Sequence, residues 1–194
     1  MILKMLLKFE NAILETLVQR KLKIINVVRP TIRAVMKTGK KNLLILEIGV
    51  AEGINSKLII ENLPVRKLWL IDSYKPYYQD GRLFTHYSRM EKEARTRLGK
   101  FIKNNEVTFL KGRSQDKKII SLVPNNLDFV YVDGNHSYWA VKKDIENYYK
   151  KLKNGGIIGG HDFNIVDVSR AVYEFVSKHH LKLHTEDQDW WFRK

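Results

Sequence analysis

An apolar run that stops at two glycines is the feature that most constrains this fold. Residues 43–48 (LLILEI) are followed by Gly49 and Gly53, and a helix-like segment begins after them. Buried parallel strands read as continuous apolar runs, and the turn after such a strand is where α/β proteins hold a nucleotide-like ligand. The chain lacks the third glycine of a dinucleotide fingerprint and the lysine of a P-loop. The turn is therefore either an ordinary strand-to-helix connection of an α/β fold or a site for an adenosine with a charged amino-acid tail.

Composition places the chain among single-domain globular proteins. Its 194 residues are 44% hydrophobic and 29% charged, which suits one full sheet with its helices. It has no cysteine, which excludes disulfides, thiolate metal sites and cysteine nucleophiles. No apolar run approaches the ~18 residues of a membrane span, and the first residues are too interrupted by lysine for a signal peptide. We therefore expect a cytoplasmic protein without a membrane span.

Positive charge is concentrated near the N-terminus. The formal net charge is +14, and residues 1–42 hold ten Lys or Arg against two Glu. Apolar spacing over residues 3–18 predicts an amphipathic helix, and residues 24–36 predict a second helix with Pro30 as a break or first-turn residue. We expect this basic helical extension, residues 1–40, to cap the sheet. Its basic residues form a solvated helix face or, alternatively, contact nucleic acid, an anionic membrane surface, an acidic partner or a second copy of the chain.

From residue 41 onward the pattern alternates between strands and helices. Five apolar runs are each followed by a helix-like segment, and two last runs enclose the charged residues 186–189. This predicts an α/β fold with a doubly wound, mostly parallel seven-stranded sheet and a C-terminal antiparallel hairpin. The aromatic-rich residues 74–87 lack periodicity and predict a mobile loop. The predicted strands are 43–48, 67–72, 106–111, 127–132 and 156–160, and the predicted helices are 54–63, 86–104, 115–122, 137–153 and 167–179.

Two of the predicted strands end in residues suited to a nucleoside. Asp72 ends the second strand roughly 20 residues after Gly49, the separation expected for an acid that accepts hydrogen bonds from ribose hydroxyls. Ser114 and Gln115 follow the third strand and could bond the edge of an adenine. Alternatively, Asp72 caps a turn or helix and Ser114 is the N-cap of the next helix.

The fourth and fifth strands end in acids and imidazoles. Asp133 and His136 follow the fourth strand, and His161 and Asp162 follow the fifth. Carboxylates gathered at one rim of a sheet repel one another unless a cation lies between them, and carboxylate oxygens suit Mg²⁺. The alternative is that the aspartates cap helices and the histidines face solvent.

Taken together, these segments resemble the metal-using class I S-adenosylmethionine (SAM) O-methyltransferases over residues 43–194. Residues 46–49 (LEIG) and 112–116 (GRSQD) resemble cofactor segments of catechol O-methyltransferases. Residues 132–138 (VDGNHSY) and 159–162 (GGHD) are similar to the macrocin-type enzymes that methylate sugar hydroxyls. The resemblance implies a methyltransferase domain over residues 41–194 and a small-molecule or glycan hydroxyl as acceptor.

The resemblance also implies a role for each matched position. Glu47 would receive the SAM amino group beside the glycine turn, Asp133 would bind both cofactor and cation, and His136 would be the general base. The implied cofactor-binding residues are Glu47, Gly49, Val50, Ala51, Gly53, Asp72, Ser73, Ser114, Gln115 and Asp133. The implied ligands of Mg²⁺ (or Mn²⁺) are Asp133, His161 and Asp162, and the implied catalytic residues are His136 and Asp133.

At two positions the sequence departs from the metal-binding patterns of these enzyme families. Phe163 stands where catechol enzymes carry an asparagine ligand, and His161 stands where the sugar enzymes carry an acid. The histidine favours an ion such as Mn²⁺ or Zn²⁺ that tolerates imidazole.

The +14 charge is compatible with an RNA or tRNA methyltransferase, although no RNA-binding module is recognisable. A non-catalytic interaction module on a SAM-binding fold is the third alternative, and a homodimer formed through the N-terminal helices is compatible with each.

Overall fold

A mostly parallel sheet of seven strands organises the chain. The computed structural model describes residues 28–79, 82–84 and 87–194. The strands are β1 (Leu43–Ile48), β2 (Val65–Asp72), β3 (Tyr77–Gln79), β4 (Arg82–Phe84), β5 (Val107–Lys111), β6 (Leu127–Val132), β7 (Leu152–Gly160), β8 (His184–Glu186) and β9 (Asp189–Arg193). The helices are α1 (Pro30–Met36), α2 (Ile54–Asn62), α3 (Tyr87–Arg97), α4 (Gly99–Lys103), α5 (Lys117–Leu122), α6 (Tyr138–Tyr149) and α7 (Val166–Lys178).

The strand order of the main sheet creates a cleft between β1 and β6. The order is β5-β2-β1-β6-β7-β9-β8, with β5, β2, β1, β6 and β7 parallel and the β9–β8 hairpin antiparallel at one edge. The chain builds outward from β1 to β5 in one direction and from β6 to β7 in the other. Ligands of doubly wound folds bind where this direction reverses, beyond the carboxyl ends of the strands.

The central strands are buried on both faces because an apolar layer of helices covers each side of the sheet. All six residues of β6 are buried, as expected for a parallel strand between two helical layers. Helices α1 to α4 supply one layer, and α5, α6 and α7 supply the other. Helix α7 packs on the sheet through one apolar face. Its buried residues recur at helical spacing and are Val168, Ala171, Val172, Phe175 and Val176.

Gly159 in β7 allows α1 and β9 to pack closely against this strand. A Cβ atom at Gly159 would lie 2.4 Å from the backbone oxygen of Trp190 and 2.7 Å from a side-chain methyl of Thr31. Both neighbours belong to elements that pack on β7, since Gly159 pairs with Trp191 across the β7–β9 ladder and Thr31 lies on α1. Only a residue without a side chain fits between them.

The structure confirms the predicted fold and refines its edges. The five parallel strands and the terminal hairpin lie where the sequence predicted them, although β2 and β7 begin at residues 65 and 152, earlier than expected. Pro30 is the first residue of α1, and α1 packs into the same apolar layer as α2. Within residues 74–87, for which the sequence predicted a mobile loop, β3 and β4 pair as antiparallel strands, and the mobility of this segment stays a prediction.

Two expectations for the N-terminal part are not resolved by this fold. The helix expected over residues 3–18 lies outside the described residues, and the domain boundary at residue 40 stays a prediction. Within residues 28–79, 82–84 and 87–194, every helix is too short or too polar to cross a lipid bilayer.

We expect Gly159→Ala to lower the free energy of unfolding by about 1–3 kcal/mol, the usual cost of overpacking. The added methyl group meets backbone of β9, which cannot move away without breaking ladder hydrogen bonds. Gly99→Ala is the matched control, since a Cβ there meets nothing within 4 Å and the residue begins α4. Urea denaturation of the two variants measures the difference, and equal midpoints would contradict the packing described here.

Candidate active site

The ends of β1 and β6 approach each other so closely that a side chain between them is impossible. Gly49 has φ = 84°, and a Cβ there would lie 1.9 Å from the backbone oxygen of Asp133. The backbone N–H of Asp133 donates to the oxygen of Ile48 at 2.7 Å. This contact aims the turn after β1 and the loop after β6 at the same space.

Asp72 holds the glycine turn in place from the end of β2. Its Oδ2 accepts hydrogen bonds from the backbone N–H groups of Val50 at 2.9 Å and Ala51 at 3.1 Å, and its Oδ1 accepts from the N–H of Tyr74 at 2.8 Å. The Tyr74 hydroxyl in turn donates to the backbone oxygen of Ala51 at 3.1 Å. A carboxylate offers about four acceptor positions, so Asp72 can hold the turn and still accept from a ligand.

A cleft of about 350 Å³ opens between these strand ends. That size falls in the range of small-molecule sites. Its walls come from the turn after β1 and from the loops after β2, β5 and β6. The lining residues are Ile48, Gly49, Ala51, Ile71, Asp72, Ser73, Lys75, Pro76, Gly112, Arg113, Ser114, Gln115, Asp133, Gly134, Asn135 and Ala140.

Seven of the ten expected cofactor-binding residues line this cleft, and three lie behind it. The seven are Gly49, Ala51, Asp72, Ser73, Ser114, Gln115 and Asp133. Of the others, Val50 is buried in the apolar core and Gly53 packs against Ala94 of α3, where a Cβ would lie 3.2 Å from that backbone. Glu47 is 1% exposed at the end of β1.

Glu47 joins the strand to the helix that follows the turn. The Asn55 amide donates to Oε1 at 2.8 Å, and the Ser56 hydroxyl donates to Oε2, both from α2. Burial raises the pKa of the Glu47 carboxyl to about 8, although these two donated hydrogen bonds oppose the shift. The contact with a cofactor amino group stays a prediction, since the carboxyl is already bonded to α2.

The Ser114–Gln115 pair is anchored to α6. The Gln115 Nε2 donates to Asp144 Oδ1 at 2.7 Å and to Ser114 Oγ at 2.8 Å. The Tyr148 hydroxyl donates to the backbone oxygen of Ser114 at 2.7 Å. Ser114 is not the N-cap of the next helix, because α5 begins after Asp116.

Beside the cleft, an imidazole lies between two carboxylates. His136 Nε2 is 2.9 Å from Asp162 Oδ2 and 3.8 Å from Asp133 Oδ1, and all three side chains are about one-fifth exposed. Candidate ligand atoms of these residues lie within 4.8 Å of one another. The two aspartates raise the pKa of His136 to about 9, and the imidazole lowers the pKa of Asp162.

His161 lies next to this cluster but is bonded elsewhere, so the three expected metal ligands do not all come together. Its Nδ1 is 2.8 Å from Asp189 Oδ1, a buried carboxylate at the start of β9. Its Nε2 is 3.9 Å from Asp162 Oδ1. Among the described residues, the group compact enough to hold an ion contains Asp133 and Asp162 with His136 instead of His161.

Arg29 supplies positive charge to the same region. Its guanidinium is 3.6 Å from Asp133 Oδ2 and 3.7 Å from Asp189 Oδ1, and it lies over the ring of Tyr131 at 5.8 Å. Asp189 also accepts hydrogen bonds from the Tyr131 hydroxyl at 3.2 Å and the Thr31 N–H at 3.0 Å. The sequence alone did not identify Arg29 or Asp189, because nothing marks which of many charged residues meet the strand ends.

A family model described as a methyltransferase domain matches residues 46–163, more than half of the chain. This span runs from the end of β1 to just beyond Asp162, and so includes the cleft and the acid–imidazole cluster. The chain belongs to this family of methyltransferase domains.

Solved methyltransferase structures share the fold at low sequence identity. The O-methyltransferase NovP is 22% identical, with a TM-score of 0.63 over 89% of this chain and 79% of NovP. The calicheamicin methyltransferase CalS11 is 13% identical, with a TM-score of 0.66 over 90% of this chain and 79% of CalS11. The methyltransferase PaMTH1 of Podospora anserina is 13% identical, with a TM-score of 0.61 over 84% and 75%.

An uncharacterised protein of Acanthamoeba polyphaga mimivirus is also similar to this methyltransferase. The two are 30% identical over 143 residues, which is 72% of this chain. The chain spans 60% of the length of that relative.

We expect Glu47→Gln to flatten the pH dependence of stability. A glutamate in the unfolded chain ionises near pH 4.3, whereas folding raises the pKa of Glu47 to about 8, so the folded state alone keeps the proton between these values. Stability should therefore fall as pH rises from about 5 to 8, by at most about 1.4 kcal/mol per pH unit, and the variant should lose this fall. Urea denaturation at each pH measures it.

The control for that measurement is Glu61→Gln, which changes an exposed carboxyl of the same helix, α2. Its stability should follow the wild-type pH curve. Parallel curves for wild type and Glu47→Gln would show that Glu47 does not hold a proton in the folded protein.

Proposed function

We propose that this methyltransferase moves the methyl group of SAM to a hydroxyl of a small molecule or glycan, with a divalent cation and His136 as general base. The observation that carries the proposal is the position of Asp133. Its side chain lines the cleft and also belongs to the cluster with His136 and Asp162. A cofactor in the cleft and a hydroxyl at the cluster would thus be neighbours, as methyl transfer requires.

The cleft suits SAM in one orientation. Asp72 and Ser73 would accept hydrogen bonds from the ribose hydroxyls. Ser114 and Gln115 would contact the adenine. The amino-acid tail would then lie along Gly49 and Ala51, where the turn brings backbone to the cleft wall without a side chain. Glu47 would support this turn from behind through α2.

The cluster suits a divalent cation. Asp133 and Asp162 offer carboxylate oxygens, which Mg²⁺ and Mn²⁺ accept as ligands, and the imidazole of His136 lies beside them. Candidate oxygens of the two aspartates lie within 4.8 Å of each other, and they would hold the ion while His136 Nε2 accepts the proton. When bound, such an ion would lower the pKa of a coordinated hydroxyl and orient it.

His136 would take the proton from the acceptor hydroxyl. A general base must be neutral, and the two carboxylates otherwise keep His136 protonated at pH 7 because they raise its pKa to about 9. Positive charge bound to Asp133 and Asp162 would remove the cause of that shift and return the pKa of the imidazole toward its ordinary 6.5. Cation binding and activation of the base are therefore coupled.

Two of the similar structures support a hydroxyl acceptor, and one of them acts on a sugar. NovP is an O-methyltransferase, and CalS11 is a TDP-rhamnose 3'-O-methyltransferase. A hydroxyl acceptor also fits the cluster, since carboxylates and an imidazole are suited to deprotonating an alcohol.

We expect His136→Ala to cut methyl transfer by ~10²–10⁴-fold, the usual contribution of a general base, and to leave affinity for S-adenosylhomocysteine within about threefold. The variant removes the imidazole from the cluster but leaves the lining of the cleft intact. Turnover is measured as labelled methyl transferred to a panel of sugar and catechol hydroxyls. EDTA should likewise abolish turnover, and excess Mn²⁺ should restore it.

His184→Ala is the matched control for this experiment. His184 lies on β8, is exposed and stacks on Trp191. Its replacement should leave turnover unchanged. Full activity of His136→Ala would exclude this base, and turnover that resists EDTA would exclude the cation.

A further inference from the structure

A buried carboxylate under the cleft has no role in the function proposed above. Asp144 lies on α6, and it is 1% exposed. Its carboxylate accepts a hydrogen bond from Gln115 Nε2 at 2.7 Å and is also bonded to the Ser114 hydroxyl. Both partners belong to the loop after β5, which forms the wall of the cleft where the base of the cofactor is expected.

These hydrogen bonds fix the orientation of the Gln115 amide. An amide nitrogen carries two hydrogens, and Gln115 Nε2 donates to Asp144 Oδ1 and to Ser114 Oγ. An ionised carboxylate only accepts, so the amide cannot turn its oxygen toward Asp144 without losing a hydrogen bond and gaining a repulsion. The oxygen Oε1 is therefore the polar atom of this side chain that is left to face a ligand.

We propose that Asp144 is a positioning residue that makes Gln115 an obligatory acceptor and so selects a cofactor base with an exocyclic amino group. The inference rests on the proposed function, which places the adenine at Ser114 and Gln115. Adenine has an amino donor at C6, whereas hypoxanthine has an oxygen acceptor there. A fixed amide oxygen bonds the first and repels the second.

The same helix provides a tether that does not touch the amide. Tyr148 lies one turn after Asp144 on α6, is fully buried, and donates its hydroxyl to the backbone oxygen of Ser114 at 2.7 Å. It holds the loop in place, while Asp144 sets the direction of one side chain. Removing the Tyr148 hydroxyl therefore separates support of the loop from control of the amide.

The test compares two ligands that differ only at the base. Calorimetry measures the dissociation constants of S-adenosylhomocysteine and S-inosylhomocysteine at pH 8.5, where Asp144 is ionised because burial raises its pKa only to about 7. The wild type should prefer the adenosyl ligand by at least about tenfold, the effect of roughly one hydrogen bond. In Asp144→Asn the new amide can accept or donate, so Gln115 can turn and the preference should fall to about twofold or less.

Tyr148→Phe is the matched control, since it should weaken both ligands equally and keep the wild-type preference. Gln115→Ala should lose the preference, and adding Asp144→Asn to it should change nothing further, because Asp144 acts through Gln115. Thermal unfolding shows whether each variant is folded. Should Asp144→Asn not fold, Asp144→Ala, which removes the acceptor of the Gln115 amide altogether, should lower the preference in its place.

The outcomes separate this inference from the function on which it rests. A folded Asp144→Asn protein, or Asp144→Ala in its place, with the wild-type preference would overturn the role of Asp144. A preference that falls equally in Tyr148→Phe would also overturn it, since Asp144 would then only support the loop. Failure of the wild type to bind either ligand would instead contradict the proposed use of the cleft for SAM.

Discussion

The site depends on one close contact between backbones, that of Gly49 with Asp133. A Cβ at Gly49 would lie 1.9 Å from the oxygen of Asp133, so the turn after β1 and the loop after β6 meet only because the residue is glycine. On one side of this contact lies the cleft lined by Asp72, Ser114 and Gln115. On the other side lies the acid–imidazole cluster. The two halves of the proposed reaction are neighbours because the strands that carry them are adjacent in the sheet.

Charged groups from distant parts of the chain meet at the site. Arg29 precedes α1 and lies 3.6 Å from Asp133 after β6, and Asp189 begins β9 and lies 2.8 Å from His161 after β7. Asp189 is bonded to the imidazole of His161. The imidazole of His136 instead lies between Asp133 and Asp162. The terminal hairpin and the segment before β1 thus shape the cluster as well as covering the sheet.

Sequence reasoning identified what is encoded locally. Apolar runs that end in glycine or aspartate marked the strands and their carboxyl ends, because the parallel topology brings such ends to one edge. It did not identify contacts that depend on packing between distant elements. Asp144 reads as one more charge on an amphipathic helix, and only the docking of α6 under the β5 loop reveals its bond to Gln115. The bond of His161 to Asp189 likewise depends on the β7–β9 ladder, which brings β9 beside the end of β7.

The proposed function requires the loops after β1, β2, β5 and β6 to form a single cofactor cleft. Chemical-shift mapping of the backbone amides with S-adenosylhomocysteine tests this requirement. We expect the largest changes to fall together on Gly49, Ala51, Ser73, Gln115 and Gly134. Changes centred instead on the separate groove between α6 and α7, which Tyr149, Phe175 and His179 line, or no changes at saturating ligand, would contradict it.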